Sequence, residues 1–111
     1  MQMTAELYKT LCEMQAELCK TLVNHKRIEI LNFLQDDERT VGELVASLSV
    51  PKSNVSQHLA VMRHKGVLTT RREGSNIYYR VANPKIITVL TLMREVLLEQ
   101  QSARERVVTR V

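Results

Sequence analysis

The sequence predicts a single, mainly α-helical domain of the α+β class, with about five helices and one two-stranded β-hairpin. Apolar residues recur every three or four positions along most of the chain, as they do on the buried face of a helix. Only residues 67–82 change to a pattern rich in β-branched and aromatic residues, which is typical of strands. The length of 111 residues suits one domain, residues 1–111, and its 3 Gly and 2 Pro leave few breaks.

The first helix is predicted over residues 3–22, within an N-terminal segment 1–23. Its main apolar stripe repeats with coiled-coil spacing and consists of Leu7, Leu11, Met14, Leu18 and Leu22. A second apolar face, which includes Tyr8 and Cys19, lies well round the helix from this stripe. Because a small domain cannot bury both faces against itself, we expect a partner chain to cover the surplus.

Two short helices are predicted next. Asn24 suits the N-cap of a helix that runs to about Asp36, and its inward residues are Ile28, Leu31 and Leu34. The polar stretch 36–39 breaks the chain. Thr40 and Glu43 then form a capping box, in which the threonine caps the helix and the glutamate reaches back to it. The inward residues of this third helix are Leu44, Val45 and Leu48.

The fourth helix, predicted over residues 51–64, has a narrow apolar stripe formed by Val55, Leu59 and Met62. Its opposite side carries polar groups: Lys52, Ser53, Asn54, Ser56, Gln57 and His58. Such groups on a helix are suited to reading base edges in a major groove, although an ordinary solvated face has a similar composition. Ser49-Val50-Pro51 forms a tight turn before it, so residues 40–65 have the helix-turn-helix arrangement.

The charge distribution favours nucleic-acid binding over a merely solvated face. No acidic residue lies between Glu43 and Glu73, a segment that contains Lys52, Arg63, Lys65, Arg71 and Arg72. Residues 44–83 carry a net charge of +5, which exceeds the +4 of the whole chain. This concentration of positive charge, together with a pI near 9.3, is typical of a phosphate-binding surface.

A β-hairpin is predicted over residues 67–82, with its turn at residues 73–76. Its candidate DNA-contacting residues are Arg71, Arg72, Ser75, Asn76 and Tyr79, a set suited to phosphates or a minor groove. Asn83 and Pro84 then open a last helix, residues 84–105, which is apolar over most of its circumference and again has a surplus face. From Glu99 the chain becomes polar, and we expect it to fray towards Val111.

These elements, in this order, resemble the winged helix-turn-helix fold, and their motifs resemble those of the ArsR/SmtB family of bacterial metal- and stress-responsive repressors. The motifs are Asn24-x-x-Arg27-Ile28-x-Ile30-Leu31, Val41-x-Glu43-Leu44, Val55-Ser56-Gln57-His58-Leu59, and Arg72-Glu73-Gly74 followed by Ile77-Tyr78-Tyr79. The resemblance covers roughly residues 15–98. It implies a homodimer formed by the first and last helices, and a repressor that an inducer releases from its double-stranded DNA operator, which we expect to be an imperfect palindrome.

The sequence departs from the best-known members at both of their metal sites. Where their Cys-x-Cys motif follows Glu-Leu, this chain has Val45-Ala46-Ser47, and residues 84–105 contain neither the Asp nor the His of the dimer-interface site. Cys12 and Cys19 are the only thiols. Seven positions along a helix separate them by about 10.5 Å, more than the roughly 7 Å that a disulfide can bridge. An intrachain disulfide would therefore require the helix to break.

Three interpretations of Cys12 and Cys19 remain open. In the first, both cysteines are small apolar residues packed at the dimer seam. In the second they form a redox or persulfide switch, and in the third they form a soft-ion site, built from both chains, for arsenite or a similar ion. If they only pack, the chain is a constitutive DNA-binding regulator without an effector. We expect ordinary surface or capping roles for His25 and His64, and no required cofactor.

Other classes of protein are disfavoured. A thiol enzyme needs a positioned base and an oxyanion site, and the sequence shows neither. A module for protein contacts alone has no need of the acid-free basic segment. No apolar run approaches the roughly 20 residues that span a bilayer, and no signal segment is apparent. We therefore expect a soluble, cytoplasmic protein with reduced cysteines and no membrane partner.

Overall fold

The computed structural model describes residues 3–48 and 50–109, with side chains described as far as residue 105. The elements are α1 (Ala5–Leu22), α2 (His25–Leu34), α3 (Val41–Leu48), α4 (Lys52–His64), β1 (Leu68–Glu73), β2 (Asn76–Val81) and α5 (Lys85–Thr109). Their types and order confirm the predicted fold class. The two antiparallel strands, which we call the wing, pair from Leu68 opposite Val81 to Glu73 opposite Asn76.

Side-chain caps fix the starts of the early helices. The Asn24 side-chain oxygen accepts hydrogen bonds from the backbone N–H groups of Lys26 and Arg27, at 2.9 and 3.2 Å. Thr40 and Glu43 form the reciprocal capping box: the Thr40 hydroxyl accepts from the Glu43 N–H at 3.2 Å, and the Glu43 carboxylate accepts from the Thr40 N–H at 3.3 Å. Both predicted caps are confirmed, because each depends only on residues within one helical turn.

The buried core lies between α2, α3, α4 and the base of the wing. The predicted stripe of α4 forms its centre, since Val55, Leu59 and Met62 each have 0% of their surface exposed. The other buried apolar residues are Ile30, Leu31, Leu34, Leu44, Val50, Val67, Leu68, Val81 and Leu90. Burying the stripe of α4 on this core leaves the opposite side of the helix in solvent.

The wing turn lies at residues 73–76, where the sequence predicted it. Because Glu73 and Asn76 pair with each other, the connection is a two-residue loop, Gly74-Ser75. Gly74 has φ of 62°, a left-handed conformation that glycine adopts without steric cost and that a type II′ hairpin turn requires at its first position. An isolated β-bridge between Arg39 and Tyr79 joins the other edge of β2 to the segment before α3. The backbone N and O atoms of its two hydrogen bonds are 2.8 and 3.1 Å apart.

Three helix ends differ from the sequence predictions. The first helix begins at Ala5 with Thr4 as its N-cap, and α2 ends at Leu34 because Gln35 turns to φ of 47°. The last helix, predicted over residues 84–105, begins at Lys85 and continues to Thr109, into the tail that was expected to fray. Residues 99–105 are polar but include Glu, Gln, Ala and Arg, which are strong helix formers, and no Gly or Pro. Ser49 and Val111, named in two predictions, lie outside the described residues.

The first helix and the outer face of α5 remain largely uncovered. Their exposed apolar residues include Leu7, Leu11, Met14 and Leu18 of α1, and Val89, Leu92, Met93, Val96, Leu97 and Leu98 of α5. The radius of gyration is 17.6 Å, whereas a compact chain of this length would have about 13 Å. The two helices thus extend away from the core with the surplus apolar faces that the sequence predicted. In the described part of the chain, no helix is long and apolar enough to cross a membrane.

Candidate nucleic-acid interface

The outward side of α4 displays a continuous polar face. Five of its predicted contact residues are exposed: Lys52, Ser53, Asn54, Ser56 and Gln57. Among the described residues, none of these side chains makes a hydrogen bond or an ion pair within the chain. Amide and hydroxyl groups without an internal partner are free to bond to base edges or phosphates.

The tip of the wing lies beside the N-terminal end of α4. A groove of about 480 Å³ is lined by Lys52 of α4, by Ser75 and Asn76 of the wing tip, and by residues at the start of α3. The structure therefore brings Lys52 together with three predicted contact residues of the wing, Ser75, Asn76 and Tyr79, which lie more than twenty positions after it in the sequence.

Three cations, two in α4 and one in the wing, have no neutralising partner among the described residues. Lys52, Arg63 and Arg72 are exposed, and the described residues form no ion pair with any of them. Arg63 lies in the last turn of α4, and Arg72 lies in β1. These three charges remain available to phosphates, as the acid-free segment predicted.

Arg71 is placed differently from its neighbour. Its guanidinium donates two hydrogen bonds to the Glu38 carboxylate and one, at 2.7 Å, to Glu73, and it stacks 4.7 Å from the centre of the Tyr78 ring. The hydrogen bond from Arg71 lowers the pKa of Glu38, and the bonds to Glu38 and Glu73 raise the pKa of Arg71. Arg71 is therefore a paired cation in the structure, because the fold supplies an acidic partner from outside the acid-free segment, and its contact with DNA stays a prediction.

Tyr79 is less exposed than the wing-tip residues, and its predicted contact with DNA stays a prediction. Its side chain is partly buried and packs against the core, while its backbone N–H and C=O pair with Arg39. Tyr79 shares the inner face of β2 with buried Val81, as the two-residue period of a strand dictates. Tyr79 is therefore partly buried, and it still lines the groove that Lys52, Ser75 and Asn76 share.

His58 is half-buried and turned towards α2, whereas the sequence placed it on the open face. Its Nδ1 accepts a hydrogen bond from Nε of Arg27 at 3.2 Å. Burial lowers the pKa of His58, and the charges of Arg27 and His25 lower it further. His58 thus lies at the edge of the polar face as a neutral imidazole.

Cys12 and Cys19 are both free and exposed on the unbroken helix α1. Cys19 borders an apolar groove of about 630 Å³ between α1, α2 and α5, whose other lining residues include Leu22, Ile28, Val89 and Met93. Cys12 lies outside this groove. Within residues 3–48 and 50–109, no three His, Cys, Asp or Glu side chains are grouped so that they could hold a metal ion.

Two residues that shape the site were not identified as such from the sequence. Arg27 belongs to a family-like motif, but its bond to His58 joins residues 31 positions apart. Glu38, which neutralises Arg71, lies 33 positions away from it. No local pattern signals pairings over such distances.

Known proteins resemble this chain in both sequence and structure. The model of the family described as "Bacterial regulatory protein, arsR family" matches residues 24–70. The regulator Rv0081 of Mycobacterium tuberculosis is 41% identical over 95 residues, covering 85% of this chain and 83% of that protein. The transcriptional repressor PagR of Bacillus anthracis is 39% identical over 76% of this chain and 85% of its own length. The transcriptional activator HlyU of Vibrio cholerae is 36% identical over 68% of this chain and 70% of its own.

Solved structures agree with these relationships. The crystal structure of Rv0081 superposes with a TM-score of 0.75 at 40% identity, covering 85% of this chain and 95% of that one. A homodimeric winged helix-turn-helix domain of Mb0332 from Mycobacterium bovis superposes with a TM-score of 0.78 at 26% identity, over 93% of this chain and 95% of that domain. The helix-turn-helix motifs, the wing and the shared sequence lead to one conclusion: this chain belongs to the ArsR family of DNA-binding bacterial transcriptional regulators and is not an enzyme.

Proposed function

We propose that this protein is a cytoplasmic homodimer that represses transcription by binding an imperfect palindrome in an operator, and that an inducer acting at Cys12 or Cys19 releases it. The observation that carries the DNA-binding part is the outward face of α4. Its amide and hydroxyl side chains have no internal partner among the described residues, and Lys52 and Arg63 in α4 and Arg72 in the wing are exposed and unpaired. Such a surface has groups that can form hydrogen bonds with base edges, and positive charge that is attracted to phosphates.

Dimerisation follows from the uncovered apolar faces of α1 and α5. Met14 of α1 is 61% exposed and Leu97 of α5 is 63% exposed, which is costly for apolar side chains in water. A second copy of the chain offers matching apolar surface, because a two-fold axis places the same patch on both protomers. The homodimeric Mb0332 domain, which has the same fold, supports this arrangement.

The relatives include both a repressor and an activator, and the similarity to the repressor supports repression. PagR is a repressor and HlyU an activator, and the identity to PagR is slightly higher over a larger share of this chain. A dimer that covers two successive major grooves also blocks access of other proteins to that DNA.

The inducer is proposed to be a thiol-reactive molecule or a soft metalloid ion. Cys19 is exposed and borders the apolar groove between α1 and α5, the two proposed dimer helices. Modification there would alter how the protomers sit together without touching α4. The resulting change in the spacing of the two recognition helices would weaken operator binding.

The DNA-binding proposal is tested by enriching duplexes from a random pool with the purified protein, followed by footprinting. We expect two protected half-sites about 34–36 Å apart on one face of the duplex. Protection of a single half-site would contradict the proposal that a dimer binds both halves of a palindrome. Failure to enrich any sequence would contradict sequence-specific binding.

The inducer proposal is tested with Cys19→Ser, Cys12→Ser and the double variant, each reduced, treated with persulfide or exposed to arsenite. A coupling of about 1–3 kcal/mol would release the wild type roughly 5- to 150-fold. We expect Cys19→Ser to lose more of the response than Cys12→Ser, since only Cys19 borders the groove. Equal wild-type affinity under all conditions would make the cysteines structural and the protein a constitutive regulator.

A further inference from the structure

Arg27 connects the end of α1 to the recognition helix α4. Its Nη1 donates a hydrogen bond to the backbone oxygen of Thr21 at 3.0 Å, and its Nε donates to Nδ1 of His58 at 3.2 Å. Thr21 is the only buried polar side chain among the described residues, and its hydroxyl donates to the backbone oxygen of Glu17 at 3.2 Å. The Arg27 side chain is therefore held at one end by a fixed part of α1 and meets His58 at the other.

This contact decides which nitrogen of His58 carries the proton. Arginine has only donors and stays charged at any relevant pH, so Nδ1 must present a lone pair to it. A neutral imidazole with an unprotonated Nδ1 carries its hydrogen on Nε2. The charges of Arg27 and His25, together with burial, disfavour the doubly protonated ring.

The protonated nitrogen remains open to solvent. Nε2 of His58 has no hydrogen-bond partner within the described part of the chain, and the only buried, unpartnered side-chain oxygen or nitrogen found there is Oδ1 of Asn32. His58 follows Asn54 by one helical turn, at the edge of the exposed polar face. Its outer nitrogen is thus a neutral hydrogen-bond donor next to the side chains proposed to read bases.

We propose that His58 is a specificity-determining residue that donates a hydrogen bond from Nε2 to the operator, and that Arg27 is the positioning residue that fixes this tautomer and ring orientation. The inference rests on the proposed DNA-binding function. A donor in a fixed position can form a hydrogen bond only with an acceptor opposite it, such as N7 or O6 of guanine or O4 of thymine in the major groove. An imidazole that could exchange tautomers would tolerate a donor or an acceptor at that position.

The tautomer is tested without DNA by long-range ¹⁵N–¹H NMR of the imidazole ring near neutral pH. We expect a proton on Nε2 and a lone pair on Nδ1 of His58. In Arg27→Met, which lacks the donors, a mixture of the two tautomers should replace the single form. A wild-type spectrum with the proton on Nδ1, or an unchanged spectrum in Arg27→Met, would overturn the proposal.

Two substitutions at His58 separate its inner contact from its outer one. His58→Asn can place an amide oxygen where Nδ1 accepts from Arg27, but its shorter side chain does not reach the position of Nε2. His58→Gln can place an amide N–H near Nε2, but it lacks the inner acceptor. The comparison uses the duplex enriched by the wild-type protein, with thermal unfolding as the measure of structural damage.

We expect His58→Asn to unfold near the wild-type temperature yet bind the duplex roughly 2- to 12-fold more weakly, the value of one hydrogen bond. Its base preference should relax at one position per half-site, and His58→Gln should retain more affinity. Wild-type affinity and preference in His58→Asn would show that His58 only packs against Arg27, and would overturn the proposal while leaving the function intact. If the wild-type protein enriches no duplex, both the function and the reading role of His58 fail, and the NMR result alone decides the tautomer.

Discussion

Arg71 in the wing donates two hydrogen bonds to Glu38, 33 residues earlier in the segment between α2 and α3. The Arg71 side chain is 49% exposed and that of Glu38 is 33% exposed, so solvent screens the pair and its effect on stability is small. The main effect of the pair is to orient the wing relative to the rest of the domain. With Glu73 and the Tyr78 ring as further contacts, Arg71 holds the wing against the body of the domain and leaves Arg72 as the free cation of the strand.

Arg72→Ala and Arg71→Ala form a matched pair that tests this difference. Arg72→Ala removes an unpaired cation, so the slope of log affinity against log salt should become shallower by about 0.9 for each phosphate it contacts. Arg71→Ala should leave the slope nearly unchanged, because two carboxylates already neutralise this charge. Affinity measured across a salt series on one duplex gives both slopes. Equal changes in the two variants would show that Arg71 leaves Glu38 when DNA binds.

Gln57→Ala tests base reading by α4. The Gln57 side chain is exposed and has no partner among the described residues, so its loss should leave the fold intact. We expect it to relax preference at one position per half-site, at a cost of about 1–3 kcal/mol on the enriched duplex and far less on random DNA. His64→Ala, an exposed substitution in the last turn of the same helix, serves as the control. The same loss on specific and random DNA would contradict a base contact.

Leu92→Glu in α5 tests the proposed dimer. Leu92 is 54% exposed in the single chain, so a glutamate there should be tolerated by the monomer fold. Across a dimer interface, it would place a charge against apolar surface and shift the protein towards monomers. Sedimentation should show the shift, with circular dichroism as the measure of folding, and duplex affinity should fall with it. Arg94→Glu, on the same helix, is the control, and dissociation by both variants to the same extent would assign the effect to charge alone.

Acidification should destabilise the fold through His58. Because its pKa in the folded protein lies below the ordinary value of 6.5, the unfolded chain binds the proton first as the pH falls. The contribution of His58 to the free energy of unfolding should therefore decrease as the pH drops below about 6.5 and become constant below the folded pKa of His58. Above that window His58 is neutral in both states and contributes no pH dependence. Denaturant titrations at about pH 7.5 and about pH 5.5 measure the decrease. His58→Asn should show a smaller decrease, and an identical decrease in the variant would assign it to other groups.

The sequence by itself determined the elements of this fold and the class of function. Asn24, the pair Thr40 and Glu43, and the stripe of Val55, Leu59 and Met62 act within one or two helical turns, so their effect is readable from spacing alone. The surplus apolar faces of α1 and α5 were visible for the same reason. Helix ends were predicted less accurately: the last helix was predicted to end at residue 105, yet its polar residues after Glu99 have high helix propensity and α5 continues to Thr109.

Only the tertiary structure decided which members of the site face outward and which face inward. Arg71 lies in a segment without acids, but folding brings Glu38 to it from outside that segment. His58 has the spacing of an exposed residue, but Arg27, placed by the α1–α2 junction, draws its Nδ1 inward. Tyr79 lies on the inner face of β2 because Val81 must be buried. Charge counts and helical periods describe neighbours along the chain, whereas an ion pair or a tautomer depends on neighbours in space, and those are set by how the core packs.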